Sequence, residues 1–401
     1  MSTTILTENA TSRMTRLMGL WGGYLLTIVF LLTISSFILS RPALAEVSSQ
    51  PDPSVHTNGQ VRAVLKVDAT DTIYIGGGFT EVNGQPRKRL AAIDANTGEL
   101  LPWKPRANKL VLTLAATEDG SRVFAGGNFT GISGIPRNHV AAIDASGKGA
   151  VVQSWAAGTD RAVYALTVSG DRLYMGGQFT TVAGQSRMRL AAVDPNSSTV
   201  NQQWTPSAVG LVRTLVQSPD GTRIYTGGDF TRISDQPRKK LAAIDANTGT
   251  VESWAPDPCY PVFDLEATNS TVFVAGGGTP PGCGAGGFAD AFDATTAKSV
   301  WGGPITSDGD FQAVALLDGT VYYGGHFRVI PYQSDRRRPI FAAVDAKTGV
   351  VDRTNWTPSA DFGVWAMTAD WIHRRIYAGG EFTTINNQPQ QGFAQFSTPG
   401  T

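Results

Sequence analysis

From residue 61 the chain reads as short apolar stretches set between turn residues. Val61–Val67 alternates apolar and polar side chains. Asp-Ala-Thr-Asp follows, then Thr72–Phe79, Asn83-Gly84, Arg89–Asp94, Asn96-Thr-Gly98 and Glu99–Trp103. Runs of five to eight residues bounded by Gly, Asn and Asp predict four strands and leave no room for a helix. The order then recurs. A Gly-Gly pair begins at residues 76, 126, 176, 227, 276, 324 and 379, in steps of 48 to 55 residues. Tyr or Phe stands two residues before six of the pairs, and x-Phe follows six of them. Each of Asp94, Asp144, Asp194, Asp245, Asp293 and Asp345 is followed by a tryptophan, the last of them Trp356.

A four-strand unit of about 50 residues cannot bury both faces by itself. Packed radially, seven units close into a β-propeller of four-stranded antiparallel blades. The seventh unit has strands near Val364–Thr368, Arg375–Phe382 and Gly392–Ser397, and lacks a fourth. Residues 51–59 resemble the stretch at 254–258 that opens another unit, so an N-terminal strand over roughly 47–57 is expected to complete the last blade. Residues 46–401 are then one domain.

Tyr-x-Gly-Gly-x-Phe-Thr, Gly-Gln-Pro-Arg and Leu-Ala-Ala-Ile-Asp-Ala-Asn-Thr-Gly together resemble the delta-60 repeat of exported prokaryotic β-propellers, over nearly all of 61–397. Kelch and quinoprotein blades are similar in order. The nine positions from Asp94 to Trp103 exceed the spacing of either. The resemblance implies a secreted or surface propeller and no particular activity.

Ahead of the repeats, Arg13 and Arg16 precede an uncharged apolar stretch over 17–40, which ends in Arg41-Pro-Ala-Leu-Ala45. This is the layout of an export signal cleaved after Ala45. The apolar run is also long enough to serve as an uncleaved membrane anchor. Both readings place 46–401 outside the cytoplasm: secreted, periplasmic or on the cell surface.

Charge narrows the partners. The 33 basic residues balance 33 acidic ones, and 30 against 32 remain without residues 1–45. No bulk charge draws the chain to nucleic acid, and the membrane is reached only through the N-terminal segment. With 45 glycines and 22 prolines, bundles and coiled coils are excluded. The two cysteines, Cys259 and Cys283, suit one structural disulfide beside the Gly-rich loop 276–287.

Features present in six or seven units are first read as structural: the tryptophans as packing between blades, the repeated Asp and Thr-Gly as turn closures. Arg87, Arg137, Arg187, Arg238 and Arg338 each stand seven residues before the repeated Asp and are expected to pair with a neighbouring blade's carboxylate. The adjoining basic residues form a basic loop face. Arg89, Arg189, Lys240, Arg336 and Arg337 are the candidate contacts for an anionic ligand, held by forked hydrogen bonds. Asp308-Gly-Asp310 is read as a turn rather than a calcium site. His56, His139, His326 and His373 show no metal-ligand spacing, and no nucleophile elbow, phosphate loop or Cys–His pair appears.

No catalytic residue, metal or cofactor is assigned. The expected function is a monomeric, non-enzymatic exported propeller that binds an anionic glycan, envelope polymer or protein at its basic loop face. The alternatives are an extracytoplasmic enzyme (a polysaccharide-acting or quinoprotein-like propeller) and a structural adhesion or scaffold module.

Overall fold

A computed structural model describes residues 47–53, 55–330, 340–352 and 355–398. The expected leader, the end of the chain and the 331–339 loop lie outside the described residues. Residues from Val47 onward form one compact unit. It is all-β, and every paired strand is antiparallel. Among the described residues, no helix is long and apolar enough to cross a membrane.

Seven sheets carry the unit. Their first strands are Val61–Val67, Val111–Ala116, Val163–Ser169, Val212–Gln217, Val262–Ala267, Phe311–Leu317 and Val364–Asp370. Each pairs with the Gly-Gly strand, which pairs in turn with the strand ending at or near the repeated aspartate. The expected fourth strand shrinks to a single bridge in most sheets, such as Ile93 with Leu100 and Ile244 with Val251. Sheet five alone gains a true fourth strand, Ile305–Ser307.

There is no single core. Seven apolar clusters lie between successive sheets, and one of them joins Tyr377 and Phe393 of sheet seven to Val61, Ile73 and Ile75 of sheet one. The first strand of each sheet packs on that of the next, and the seventh packs back on the first. The Gly-Gly pair makes this approach possible. A Cβ on Gly76 would sit 2.7 Å from the Val111 side chain, and one on Gly379 would sit 2.6 Å from that of Val61.

The tryptophans tie sheet to sheet as well as filling space. Trp103 Nε1 donates to Asp144 O at 2.8 Å and Trp155 Nε1 to Asp194 O at 3.1 Å, and so on to Trp356, which donates to Ser48 O at 3.2 Å. Arg122, Arg172, Arg223 and Arg375 also donate to carbonyls of the following sheet, and for Arg375 that sheet is the first.

The N-terminal segment joins the last sheet as expected. Asp52 bridges Gln395, and Ser48 N–H donates to Ser397 O at 2.8 Å. At this seam the Lys66 ammonium is shut from water among Asp68 (3.0 Å), Asp71 (2.8 Å) and Asp370 (3.8 Å). His373 Nδ1 lies 2.8 Å from Asp370. Asp71, Asp370 and His373 gather three metal-ligating groups, but Lys66 already supplies the cation.

Candidate functional site

In every sheet the first strand starts where the second ends: Val61 pairs with Gly77, Val212 with Gly228 and Val364 with Gly380. The loops after the Gly-Gly strands therefore share one end of the molecule with the first-strand starts, the loop end. The turns closed by the repeated aspartates occupy the other, the turn end. Asp94 shows how they close: its Oδ1 accepts from the N–H of Asn96 (3.0 Å) and of Thr97 (2.8 Å). Those bonds hold its pKa below the usual carboxylate range.

At the loop end, the expectation of an ion pair for the Arg87 series is not met. Arg87 donates to Pro86 O and Leu101 O, Arg137 to Pro136, Val152 and Gln153 carbonyls, and Arg187 to Ser186 O and Asn201 O. Each guanidinium clamps its loop to the segment that bridges the sheet's outer edge. Carbonyls are the acceptors there because a frayed outer strand leaves them free, so no carboxylate is needed.

Of the candidate contacts, Arg89, Arg189 and Lys240 hold equivalent left-handed positions, with φ of 70°, 64° and 68°. All three are half-buried. Arg89 spends one N–H on Ala107 O and Arg189 one on Ala208 O, both at 2.9 Å. Arg336 and Arg337 lie outside the described residues, as do Tyr332 and Arg338. The five are thus not seen to converge on one point.

Two other places gather chemistry. The first is a groove of about 710 Å³ along the seam of sheets one and two, running from the loop end to the turn closed by Asp144 and lined by Lys88, Lys104, Arg106 and Lys148, with Asp144 the one acid among them. All four side chains are exposed, and among the described residues none makes an ion pair. The repeats supply the contrast. Lys104 and Arg106 follow Trp103, whereas Ala156 and Gly158, Thr205 and Ser207, and Ala255 and Asp257 stand in the same places after Trp155, Trp204 and Trp254. Sequence reasoning missed this cluster, although comparing the residues after each tryptophan would have found it.

The second is a cavity of about 210 Å³ lined by all seven first strands. Each first strand carries a β-bulge at its second residue. The seven residues there, Arg62, Leu112, Tyr164, Arg213, Phe263, Gln312 and Trp365, all line the cavity. Bulges re-aim a side chain out of the sheet's alternation. The backbone feature is repeated while its side chain differs at almost every copy, so the scaffold does not dictate the lining.

Around this mouth the charges are unevenly matched. Arg213 is bound by Asp229 Oδ2 through Nε (3.0 Å) and Nη2 (2.8 Å), and its guanidinium lies over Phe263. Glu381 is held by His326 Nε2 at 3.3 Å, and Asp310 by Gln312 Nε2 at 3.3 Å. The Arg62 guanidinium stacks 3.7 Å over the Trp365 ring. Among the described residues it makes no hydrogen bond or ion pair. Burial pushes the Arg62 pKa down, with Glu381 and then Tyr164 opposing the shift.

Two carboxyls stand on the first strand of sheet five, Asp264 on the cavity wall and Glu266 two residues beyond it. Asp264 accepts from Val314 N–H (3.0 Å) and Leu265 N–H (2.9 Å). It has some access to cavity water but is hemmed in by protein, and burial raises its pKa to about 7. Burial, then the charge of Asp264, does the same to Glu266, also to about 7.

Cys259 and Cys283 stand at disulfide distance, their Cα atoms 5.9 Å apart, and pin the 276–287 loop. Asp308 Oδ1 accepts from the N–H groups of Arg328 (2.8 Å) and Val329 (2.9 Å), tying its segment to the loop after the Gly-Gly strand of sheet six. No protein-family model matches the chain, and no curated protein matches it.

Proposed function

We propose that this chain is a seven-bladed β-propeller of the delta-60 kind, working outside the cytoplasm, whose loop end binds an acidic polysaccharide without chemical turnover. The propeller reading is supported by seven sheets, seven cores between them and the return of the seventh first strand onto the first. A disulfide-distance cysteine pair is consistent with an oxidising compartment.

The observation that carries the binding reading is the groove of Lys88, Lys104, Arg106 and Lys148: four exposed cations, without ion pairs among the described residues, at the seam where Lys104 and Arg106 replace the small uncharged or acidic residues that follow Trp155, Trp204 and Trp254. Four cations share this groove with a single acid, Asp144, and repel one another, so the cluster works against stability and is accounted for by a polyanion.

The test is binding of polygalacturonate and of neutral dextran across a salt series. Polygalacturonate should bind and weaken steeply as the screening length falls from about 10 Å at 0.1 M salt to about 3 Å at 1 M. The triple variant K104A/R106A/K148A should lose most of that affinity. Equal binding of dextran, or an unaffected triple variant, rejects the reading.

A further inference from the structure

Arg62 is an unusual arginine for its position. It lines a cavity that is closed on its sides by seven strands, presents up to five N–H donors, and meets no acceptor among the described residues. Among the described residues its guanidinium stacks on the Trp365 face, with the Glu381 charge acting on it from nearby. The Trp365 indole N–H is itself buried and unpartnered. A donor left without an acceptor costs about 1–3 kcal/mol, more when charged. Arg213, at the equivalent bulge, has its acid in Asp229. One of two chemically identical positions is therefore satisfied, and the other is left open toward the cavity.

The rest of the mouth narrows what fits. Tyr164 offers a flat face, and Phe263 and Trp365 each have one face under a guanidinium; Glu381, whose charge acts on Arg62, and Asp310, bonded to the lining Gln312, bring acceptors near the donors of Arg62 and Tyr164. A bare anion would face those carboxylates with nothing to donate to them. A neutral sugar would satisfy the carboxylates but offer Arg62 only uncharged hydroxyl oxygens, leaving its charge unmatched. The cavity, at about 210 Å³, is below the ~300 Å³ at which pockets for drug-sized ligands begin. One ring fits.

We propose that the central mouth is a second binding site, distinct from the outer groove, for a single polyhydroxylated ring acid such as a uronic-acid unit. Its carboxylate lies on Arg62, its hydroxyls donate to Glu381 and Asp310, and an apolar ring face lies against Tyr164 or Phe263. Each part of the ligand answers a group that the protein leaves exposed or unmatched, and removing the acid or the hydroxyls leaves one set unanswered.

Titration calorimetry of the full chain with glucuronate, glucose and acetate tests this. Glucuronate should bind saturably and change Trp365 fluorescence, with glucose and acetate each at least about tenfold weaker, the value of one charge-assisted hydrogen bond. R62Q should lose about tenfold or more for glucuronate while keeping its melting temperature, because Arg62 bonds to no described residue. Y164F should lose less. K104A/R106A/K148A should leave glucuronate binding unchanged, which separates this site from the outer groove. Glucose as tight as glucuronate, full affinity in R62Q, or no saturable glucuronate binding would each overturn the proposal.

Discussion

Six tryptophans of this chain stand between sheets with their indole N–H groups bonded to the following sheet or, for Trp356, to the N-terminal segment. Trp365 stands at the mouth with its N–H bonded to none of the described residues. The residue type is the same, and the difference lies in what the backbone does. The six occupy a repeated site whose partner carbonyl recurs with it, so their role is fixed by repetition. Trp365 occupies a repeated bulge whose side chain is arginine, leucine, tyrosine, phenylalanine or glutamine in other copies. Repetition of a side chain marks the frame, and repetition of a backbone feature with changing side chains marks a surface free to specialise.

The sharpest way to break this comparison is to remove one tryptophan of each kind. Trp155→Ala should cost about 3–5 kcal/mol in chemical denaturation, from cavity and lost bond together, while Trp365→Phe should cost under about 1 kcal/mol. Equal losses would mean that the mouth is as structural as the seams.

Next in size is the pH response of the cavity wall. Asp264 and Glu266 have folded-state pKa values raised to about 7. Near pH 4 and below, both states hold these protons. Between about pH 4 and pH 7 the unfolded chain releases them while the folded chain keeps them, so stability falls as pH rises and then levels off. Asp264→Asn should flatten that decline, on the order of 2 kcal/mol between pH 5 and 8. Asp119 and Asp160, both held near 2 by hydrogen bonds to neighbouring hydroxyl and N–H groups, act in the opposite sense and erode stability only as pH falls below about 4. An unchanged melting curve in D264N from pH 5 to 8 would remove the wall carboxyls from the account.

The smallest effect compares two arginines two residues apart. Arg187→Gln breaks a clamp onto two carbonyls and should cost about 1–3 kcal/mol. Arg189→Gln gives up one such bond but relieves nothing of its left-handed backbone, and should cost about 1 kcal/mol or less. The reverse order would show that the left-handed position, not the clamp, holds the loop.

Much of the frame was legible in the sequence because its parts recur. Tyr-x-Gly-Gly-x-Phe located the second strands, the Asp and Thr-Gly located the turns, and the odd seventh unit pointed to the N-terminal segment. The fourth strands were over-read: Glu99–Trp103 has the composition of a strand, but only Leu100 pairs, because the Arg87 clamp takes the Leu101 carbonyl instead. The site was less legible. The variable second residue of each first strand is visible as Val-x-Ala or Val-x-Thr, but nothing in a single sequence says that a bulge turns it inward. Arg89 and Arg189 were singled out for charge, and their positive φ, invisible in the sequence, explains why they are half-buried.

The pairing of Asp52 with Gln395 also bears on time. Gln395 Nε2 donates to Asp52 Oδ2 across 343 residues of chain. During synthesis the segment that completes the last sheet is made early, and it must wait unpaired for a partner made near the end. Contacts so distant in sequence are slow to form, so the seam at Lys66 and Asp370 should lock last. A chain held at residues 47–53 by anything else, while it is being made or moved, would keep the seventh sheet one segment short.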